Sequence, residues 1–279
     1  MIKIKNENEI ELMRQGGKIL ASVLSSLAGE VKPGVETKYL NEIAESLIYQ
    51  HGALPAFKGH DGYPAALCAS INEQIVHGLP SDRKLLEGDI VGLDLGIIWP
   101  PSLAGLESSS ARLPENCSHC AMSQGCSSQR GMFTDAAITV PVGKISQEAE
   151  KIIKAARGAL SIAIEAVKPG RKLSEVSAAI EKYAKDQGFA VIHELVGHGV
   201  GRELHEEPEI PNFKASWMKD FVLKEGMTLA IEPMLSAGTY KIRKSKDGYA
   251  YETADASLSA HFEHTVAITK DGCEILTKI

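Results

Sequence analysis

In two stretches of the chain apolar residues return every three or four positions, and the two stretches match each other. The first, KPGVETKYLNEIAESLIYQHG from Lys32, carries Leu40, Ile43, Ala44 and Leu47. The second, KPGRKLSEVSAAIEKYAKDQG from Lys168, carries Val176, Ala179, Ile180 and Tyr183. They align without a gap, Lys32 on Lys168 and Gly52 on Gly188. Each predicts a Pro-Gly turn, an amphipathic helix and a glycine stop. A further helical pattern precedes each turn, over Glu9 to Ala28 and over Glu148 to Val167.

The match continues through runs of strand character. EGDIVGLDLG, with Asp94, corresponds to EGMTLAIEPM, with Glu232, and TDAAITV places Asp135 opposite Glu263 of EHTVAI. His77-Gly-Leu-Pro corresponds to His205-Glu-Glu-Pro. A helix–helix–strand unit therefore occurs twice, and each copy supplies one histidine and two carboxylates. The implied fold is α+β: two similar halves about a pseudo-twofold axis, strands inside and helices over one face.

Composition narrows the function. With 44% hydrophobic and 24% charged residues, the chain reads as soluble and globular, and no apolar run approaches the roughly 20 residues that span a membrane. A net charge of -6 argues against specific DNA binding, which needs a basic surface. The five cysteines are an odd number, and the N-terminal run is charged rather than signal-like. Both point to a reducing cytoplasm.

The carboxylates could be solvent-facing charges on edge strands. Yet no Lys or Arg lies in these strands to pair with them, and an unpaired buried carboxylate is strongly unfavourable. Four of them at matching places in a repeat are better explained by two divalent cations. GHGVGRELHEEP offers His198 and His205 as neutral imidazoles, and Gly197, Gly199 and Gly201 permit close backbone approach. HELVGH looks like a zincin motif, but His193 and His198 are five apart, so the helical face that such a motif needs is missing. Oxygen ligands with one imidazole point to Mn²⁺, Fe²⁺ or Co²⁺, with Zn²⁺ possible. Two such ions would share a bridging water or hydroxide.

Six motifs, SINEQIVHGLP, LLEGDIVGLDLG, MFTDAAITVPVG, VGHGVGRELHEEP, MTLAIEPM and SLSAHFEHTVAIT, together resemble those of the type I methionine aminopeptidases, enzymes of the pita-bread fold. The resemblance covers essentially the whole chain and implies one catalytic domain over 1–279. It implies that Asp94, Asp135, His198, Glu232 and Glu263 are the metal ligands. Asp135 and Glu263 would bridge both ions, Asp94 would serve the second, and His198 and Glu232 the first. His77 and His205 would hold the substrate around the scissile amide, and Glu232 would also shuttle a proton. Phe57, His60, Tyr63, Cys68, Leu204 and Tyr249 would line a methionine pocket, with Tyr249 where many relatives have Trp and His60 where some have Tyr. Tyr63 and Cys68 could equally be core packing.

The implied reaction is hydrolytic release of the initiator methionine from nascent polypeptide N-termini with a small second residue. Two other readings share the fold. Xaa-Pro-type aminopeptidases carry an extra N-terminal domain, for which Asp94 arrives too early. Non-catalytic pita-bread binding modules typically lose ligands, and none is missing here.

Two stretches stand outside this scheme. Between Asp94 and Asp135, roughly Trp99 to Arg130 is rich in Ser and Pro with little periodicity, which predicts a flexible insert at 99–130. Its Cys117 and Cys120 have C-x₂-C spacing, with His119 and Cys126 nearby, but a closed zinc site wants a second pair. An inert loop is preferred there over zinc or reactive thiols. YKIRKSKDGY concentrates Lys241, Arg243, Lys244 and Lys246. It reads as a solvated hairpin, or as a surface (240–248) for docking to ribosomal RNA.

Overall fold

The structure, a computed structural model, describes residues 1–101, 131–217 and 220–278. Helix α1 (Glu7–Glu30) opens on a capping box. The Asn6 side chain accepts from the Glu9 N–H at 3.0 Å, and the Glu9 carboxylate accepts from the Asn6 N–H at 2.9 Å, so two otherwise orphaned donors are satisfied. Helix α2 (Thr37–Gln50) follows the first Pro-Gly turn. Next come β1 (Leu54–Pro55), β2 (Leu67–Ile71), β3 (Gln74–Val76), β4 (Ile90–Trp99) and β5 (Met132–Pro141).

The second half repeats the order. Helix α3 (Gln147–Ala166) is capped by Ser146, whose side chain accepts from the Ala149 N–H at 3.1 Å, and α4 (Leu173–Asp186) follows the second turn. The strands are β6 (Ala190–Val191), β7 (Val196–Gly199), β8 (Glu206–Pro211), β9 (Thr228–Ile231), β10 (Met234–Ser236), β11 (Ile242–Lys244), β12 (Tyr251–Thr253), β13 (Ser259–His261), β14 (Glu263–Thr269) and β15 (Gly272–Ile275).

The sequence repeat is a structural repeat down to single hydrogen bonds. In the first half the Gly34 N–H donates to the Leu85 carbonyl at 2.7 Å, and the Leu85 N–H to that of Val35 at 2.8 Å. In the second half the Gly170 N–H donates to Leu223 at 2.9 Å, and the Leu223 N–H to Arg171 at 2.8 Å. Each Pro-Gly turn is thus tied to the segment leading into β4 or β9.

The main sheet runs β1-β4-β5-β14-β9-β7-β8, with β2 added on β4 and β15 on β14. Its pairings are antiparallel. The four middle strands, β4-β5-β14-β9, are the ligand strands of the two halves set back to back, so the pseudo-twofold axis passes between β5 and β14. Two apolar clusters mirror one another beneath. Leu20, Leu24, Leu40 and Ile48 of α1 and α2 pack with Leu93 and Leu95 of β4. Ile152, Leu160, Val176 and Ile180 of α3 and α4 pack with Leu229 and Ile231 of β9. Because side chains alternate across a strand, Asp94, between Leu93 and Leu95, faces the side opposite the helices.

Three boundaries differ from expectation. Trp99 is not in the insert: it closes β4, paired with Met132, because the ladder continues until both strands run out. β5 begins at Met132, so Asp135 lies inside it rather than at its head. Glu232 falls just past β9, where Pro233, lacking an N–H, ends the ladder. The metal and thiol readings of Cys117, His119, Cys120 and Cys126 lie outside the described residues. Among the described residues no helix is long and apolar enough to cross a membrane.

Candidate metal centre

Register brings the five expected ligands onto one face of the sheet. Asp94 of β4 and Glu263 of β14 flank Ala137 of β5 from either side. Continuing the His264↔Ile231 register by one residue sets Glu232 level with Glu263. One step along, Asp135 lies between Gly96 and Thr265, and Thr265 pairs with Ala230, which pairs with His198. Small residues, Ala137, Gly96 and Ala230, stand beside the acids in these rows, which leaves room above the sheet. The Asp135 backbone is pinned by Thr265, whose hydroxyl accepts from its N–H at 2.9 Å and donates to its carbonyl at 2.8 Å.

The donor atoms of Asp135, His198 and Glu263 all lie within 4.8 Å of one another. The His198 ring donates from Nδ1 to the Gly199 carbonyl at 2.9 Å, which leaves the Nε2 lone pair directed at the acids. Nε2 stands 3.4 Å from Glu232 Oε1 and 3.9 Å from Asp135 Oδ2. Burial, reinforced by His205, pushes the His198 pKa down to about 3, so the ring is neutral and able to ligate.

The acids are strained electrostatically as they stand. Burial raises the Asp94 pKa to about 7. Burial and then mutual repulsion raise those of Asp135, Glu232 and Glu263. Asp94 Oδ1, Asp135 Oδ1 and Glu263 Oε1 are buried without a hydrogen-bond partner. Unpaired buried oxygens on three of the four acids, beside a neutral imidazole, fit divalent cations.

A cavity of about 840 Å³ opens over this face. It is bordered by the five expected ligands, by His77 and His205, and by Phe57, His60, Tyr63, Cys68, Leu204 and Tyr249. The expected ligands, both expected catalytic histidines and the expected methionine-pocket residues thus border one cavity. Phe57, Cys68 and Leu204 also belong to an apolar cluster with Leu54 and Ile98, against which Tyr63 packs, so packing and pocket wall are one surface. Burial, then Asp94, pushes the Cys68 thiol well up, which keeps it protonated and unreactive. The Tyr63 hydroxyl lies 3.1 Å and 3.0 Å from the carbonyls of Leu67 and Gly78, and its ring meets Tyr249 edge-on at 5.6 Å. His205 stacks edge-on against His198 at 4.4 Å and His60 at 5.2 Å. Burial, then His60 and His77, lowers its pKa to about 4.

His193, the other histidine of HELVGH, does not border the cavity: it is stacked on Phe213 and Tyr240 at 4.0 Å and 4.4 Å. The basic stretch is a hairpin, β11 paired with β12. Its Arg243 is bound to Glu252 at 3.1 Å, and Lys244 lies over Tyr251 and borders the cavity.

One site residue escaped the sequence reading. His261 is buried, its Nε2 3.7 Å from Glu232 Oε2 and without a hydrogen bond. Thr139 holds it through both backbone groups, at 2.8 Å and 2.9 Å. The available signal in the sequence is its position two residues before the expected ligand Glu263.

The model of metallopeptidase family M24 matches residues 11–104 and 108–270; the chain belongs to that family. It is accordingly an enzyme, a hydrolase that binds divalent metal. Over its whole length it is similar to a methionine aminopeptidase of Clostridium perfringens, 43% identical, with all of both chains covered. It is similar too to the crystal structure of methionine aminopeptidase from Thermotoga maritima, at 39% identity and a TM-score of 0.86, again covering all of both chains. A prolidase from Pyrococcus horikoshii OT3, 23% identical with a TM-score of 0.72, covers 99% of this chain but is itself covered over only 63%. That likeness shows the shared pita-bread fold alone.

Proposed function

We propose that this enzyme is a methionyl aminopeptidase, releasing the initiator methionine from nascent proteins and peptides whose second residue is small. Residues 1–279 act as one catalytic domain in this reading, since both halves contribute ligands. Asp94, Asp135, His198, Glu232 and Glu263 would hold two divalent ions, Mn²⁺, Fe²⁺ or Co²⁺ with Zn²⁺ possible. When bound, these would supply Lewis acidity and an activated water shared between them.

The protein's own groups do the rest. Glu232, at the cavity floor, takes the proton of the attacking water and passes it to the leaving amine. His205 and His77, held neutral by burial, can donate a hydrogen bond to the carbonyl oxygen as charge develops on it. Phe57, His60, Tyr63, Cys68, Leu204 and Tyr249 receive the thioether side chain. The observation that carries this reading is the convergence of all five ligands on one sheet face beneath a cavity that these residues border.

The partners are nascent N-termini. Docking to ribosomal RNA through 240–248 has less behind it. With Arg243 paired and Lys244 bordering the cavity, Lys241 and Lys246 are its outward cations.

The test is a peptide assay on chelated protein reloaded with Mn²⁺ or Co²⁺. Release of Met from Met-Ala-Ser, with none of Xaa from Xaa-Pro-Ala, supports the proposal. The reverse preference would make the chain an Xaa-Pro enzyme, and no turnover with any metal would make it a binding module.

A further inference from the structure

The loop that carries His205 is fixed from behind by a buried ion pair. Residues Val200 to His205 join β7 to β8, and Glu206, the first residue of β8, has a side chain with no exposure at all. Its Oε1 accepts from the backbone N–H of Arg202 at 2.7 Å and of Glu203 at 3.0 Å. Its Oε2 accepts from Lys5 Nζ at 2.6 Å.

Lys5 reaches this point from 201 positions earlier in the chain, is only 4% exposed, and is anchored by its N–H on the Gly226 carbonyl at 2.8 Å. Gly201 makes the space: a Cβ there would lie 2.5 Å from Lys5 Cε, and its φ of +146° is one that side chains disfavour. A second tie lies alongside, the Arg202 guanidinium donating to both oxygens of Glu9 at 2.6 Å and 2.9 Å. The charges nearest Lys5 are Glu206, Arg202 and Lys3, none of them a ligand of the centre. The pair therefore does not serve the metal. Its two carboxylate oxygens are divided instead between the N-terminal segment and the loop that presents His205.

We propose that Lys5 and Glu206 form a positioning pair that holds the His205 loop in register. The pair keeps the imidazole edge-on to His198 and 3.4 Å from His60 Nε2, where it meets the substrate. This rests on the reading of His205 as a substrate-contacting group. Without the Lys5 ammonium, Glu206 Oε1 keeps the two backbone N–H groups and Lys3 Nζ at 3.6 Å, but the buried Oε2 loses its partner, a cost relieved by moving the loop outward.

The test is a double-mutant cycle read alongside an observable that needs no turnover. In Lys5→Met, kcat on Met-Ala-Ser should fall about tenfold with metal content per chain unchanged. In a His205→Ala background the same substitution should change kcat by less than about twofold, because its effect runs through that ring. In the metal-free protein the amides of Arg202 and Glu203 should exchange with solvent deuterium at least about tenfold faster. Lys5→Met/Glu206→Gln, which removes the buried charge yet keeps an acceptor for both N–H groups, should recover most of the activity. Should Lys5→Met fail to fold, Glu206→Gln enters the same cycle.

Two results would overturn the proposal: unchanged exchange at both amides, or an equal loss of kcat with and without His205. A wild-type enzyme that releases no methionine would instead remove the functional reading, and the exchange measurement would still decide on the clamp.

Discussion

His198 Nε2 stands 3.4 Å from Glu232 Oε1, across the seam between β7 and the end of β9. The closeness of those strands depends on Gly197, where a Cβ would lie 2.5 Å from the Ala230 carbonyl oxygen. Gly197→Ala should therefore push β7 off β9 and separate the two ligands. We expect about 1–3 kcal/mol of lost stability, on the scale of other overpacking substitutions, together with weaker Mn²⁺ binding. Thermal unfolding and a metal titration check both, and wild-type metal affinity would show that this contact does not set the His198 position.

His205 borders the cavity, edge-on to His198 with the ring centroids 4.4 Å apart. His205→Ala should lower kcat by about two orders of magnitude or more, as for loss of one transition-state donor. Its metal content should not change. Loss of an ion from the purified variant would make His205 a ligand instead.

The buried acids make the metal-free protein sensitive to pH in a definite direction. Asp94 titrates at about 7 in the fold, and the other three acids are raised as well, whereas all four are ionised above about pH 5 when unfolded. The folded state thus keeps protons that the unfolded state gives up. Stability from this source is present at low pH and lost as pH rises through about 7. His198, His205 and His261, lowered to about 3, 4 and 3, act in the opposite sense, but only below about pH 6.5, where unfolded imidazoles take up protons. From about pH 6.5 to 8 the acids act alone. The chelated protein should lose about 1.4 kcal/mol per pH unit for each proton retained, and Mn²⁺ should raise its melting temperature more at the upper end. A flat or rising profile in the chelated protein would contradict the buried, unpaired state of these acids.

The segment from residue 102 to 130 should be dispensable for catalysis. β4 and β5 stay paired as far as Trp99↔Met132, and a Cβ on Gly131 would lie 2.4 Å from the Pro100 carbonyl, so the two ends already meet. Replacing 102–130 by a short glycine-containing turn should leave kcat/KM within about threefold of wild type. Loss of metal from the shortened protein would give the segment a role in the centre.

The contrast between Asp94 and Lys5 shows what sequence could and could not disclose. Asp94 was legible because it interrupts an apolar strand and has a counterpart, Glu232, in a second copy of the same unit. The repeat supplied a control that a single charge never has. Lys5 lies in a run of charged residues and has no counterpart. Only the fold shows that Gly201 and Glu206, far along the chain, enclose it. Trp99 reads as part of the insert for a related reason, since its ladder partner Met132 lies beyond a Ser- and Pro-rich stretch of sequence without periodicity. His261 is hidden by a different route: it ends β13, in a separate sheet from Glu263 of β14, and only the fold brings its Nε2 to 3.7 Å from Glu232.

In the proposed function one sheet face would hold two ions, with Asp135 among their shared ligands. The most direct measurement is a metal titration of wild-type and Asp135→Ala protein by calorimetry, with Met-Ala-Ser turnover recorded on the same samples. Wild type should take up two ions per chain and turn over. Asp135→Ala should fail to hold the pair and show no turnover, because losing a shared ligand uncouples both sites. An Asp135→Ala protein that binds two ions and keeps more than a few per cent of activity would contradict the account.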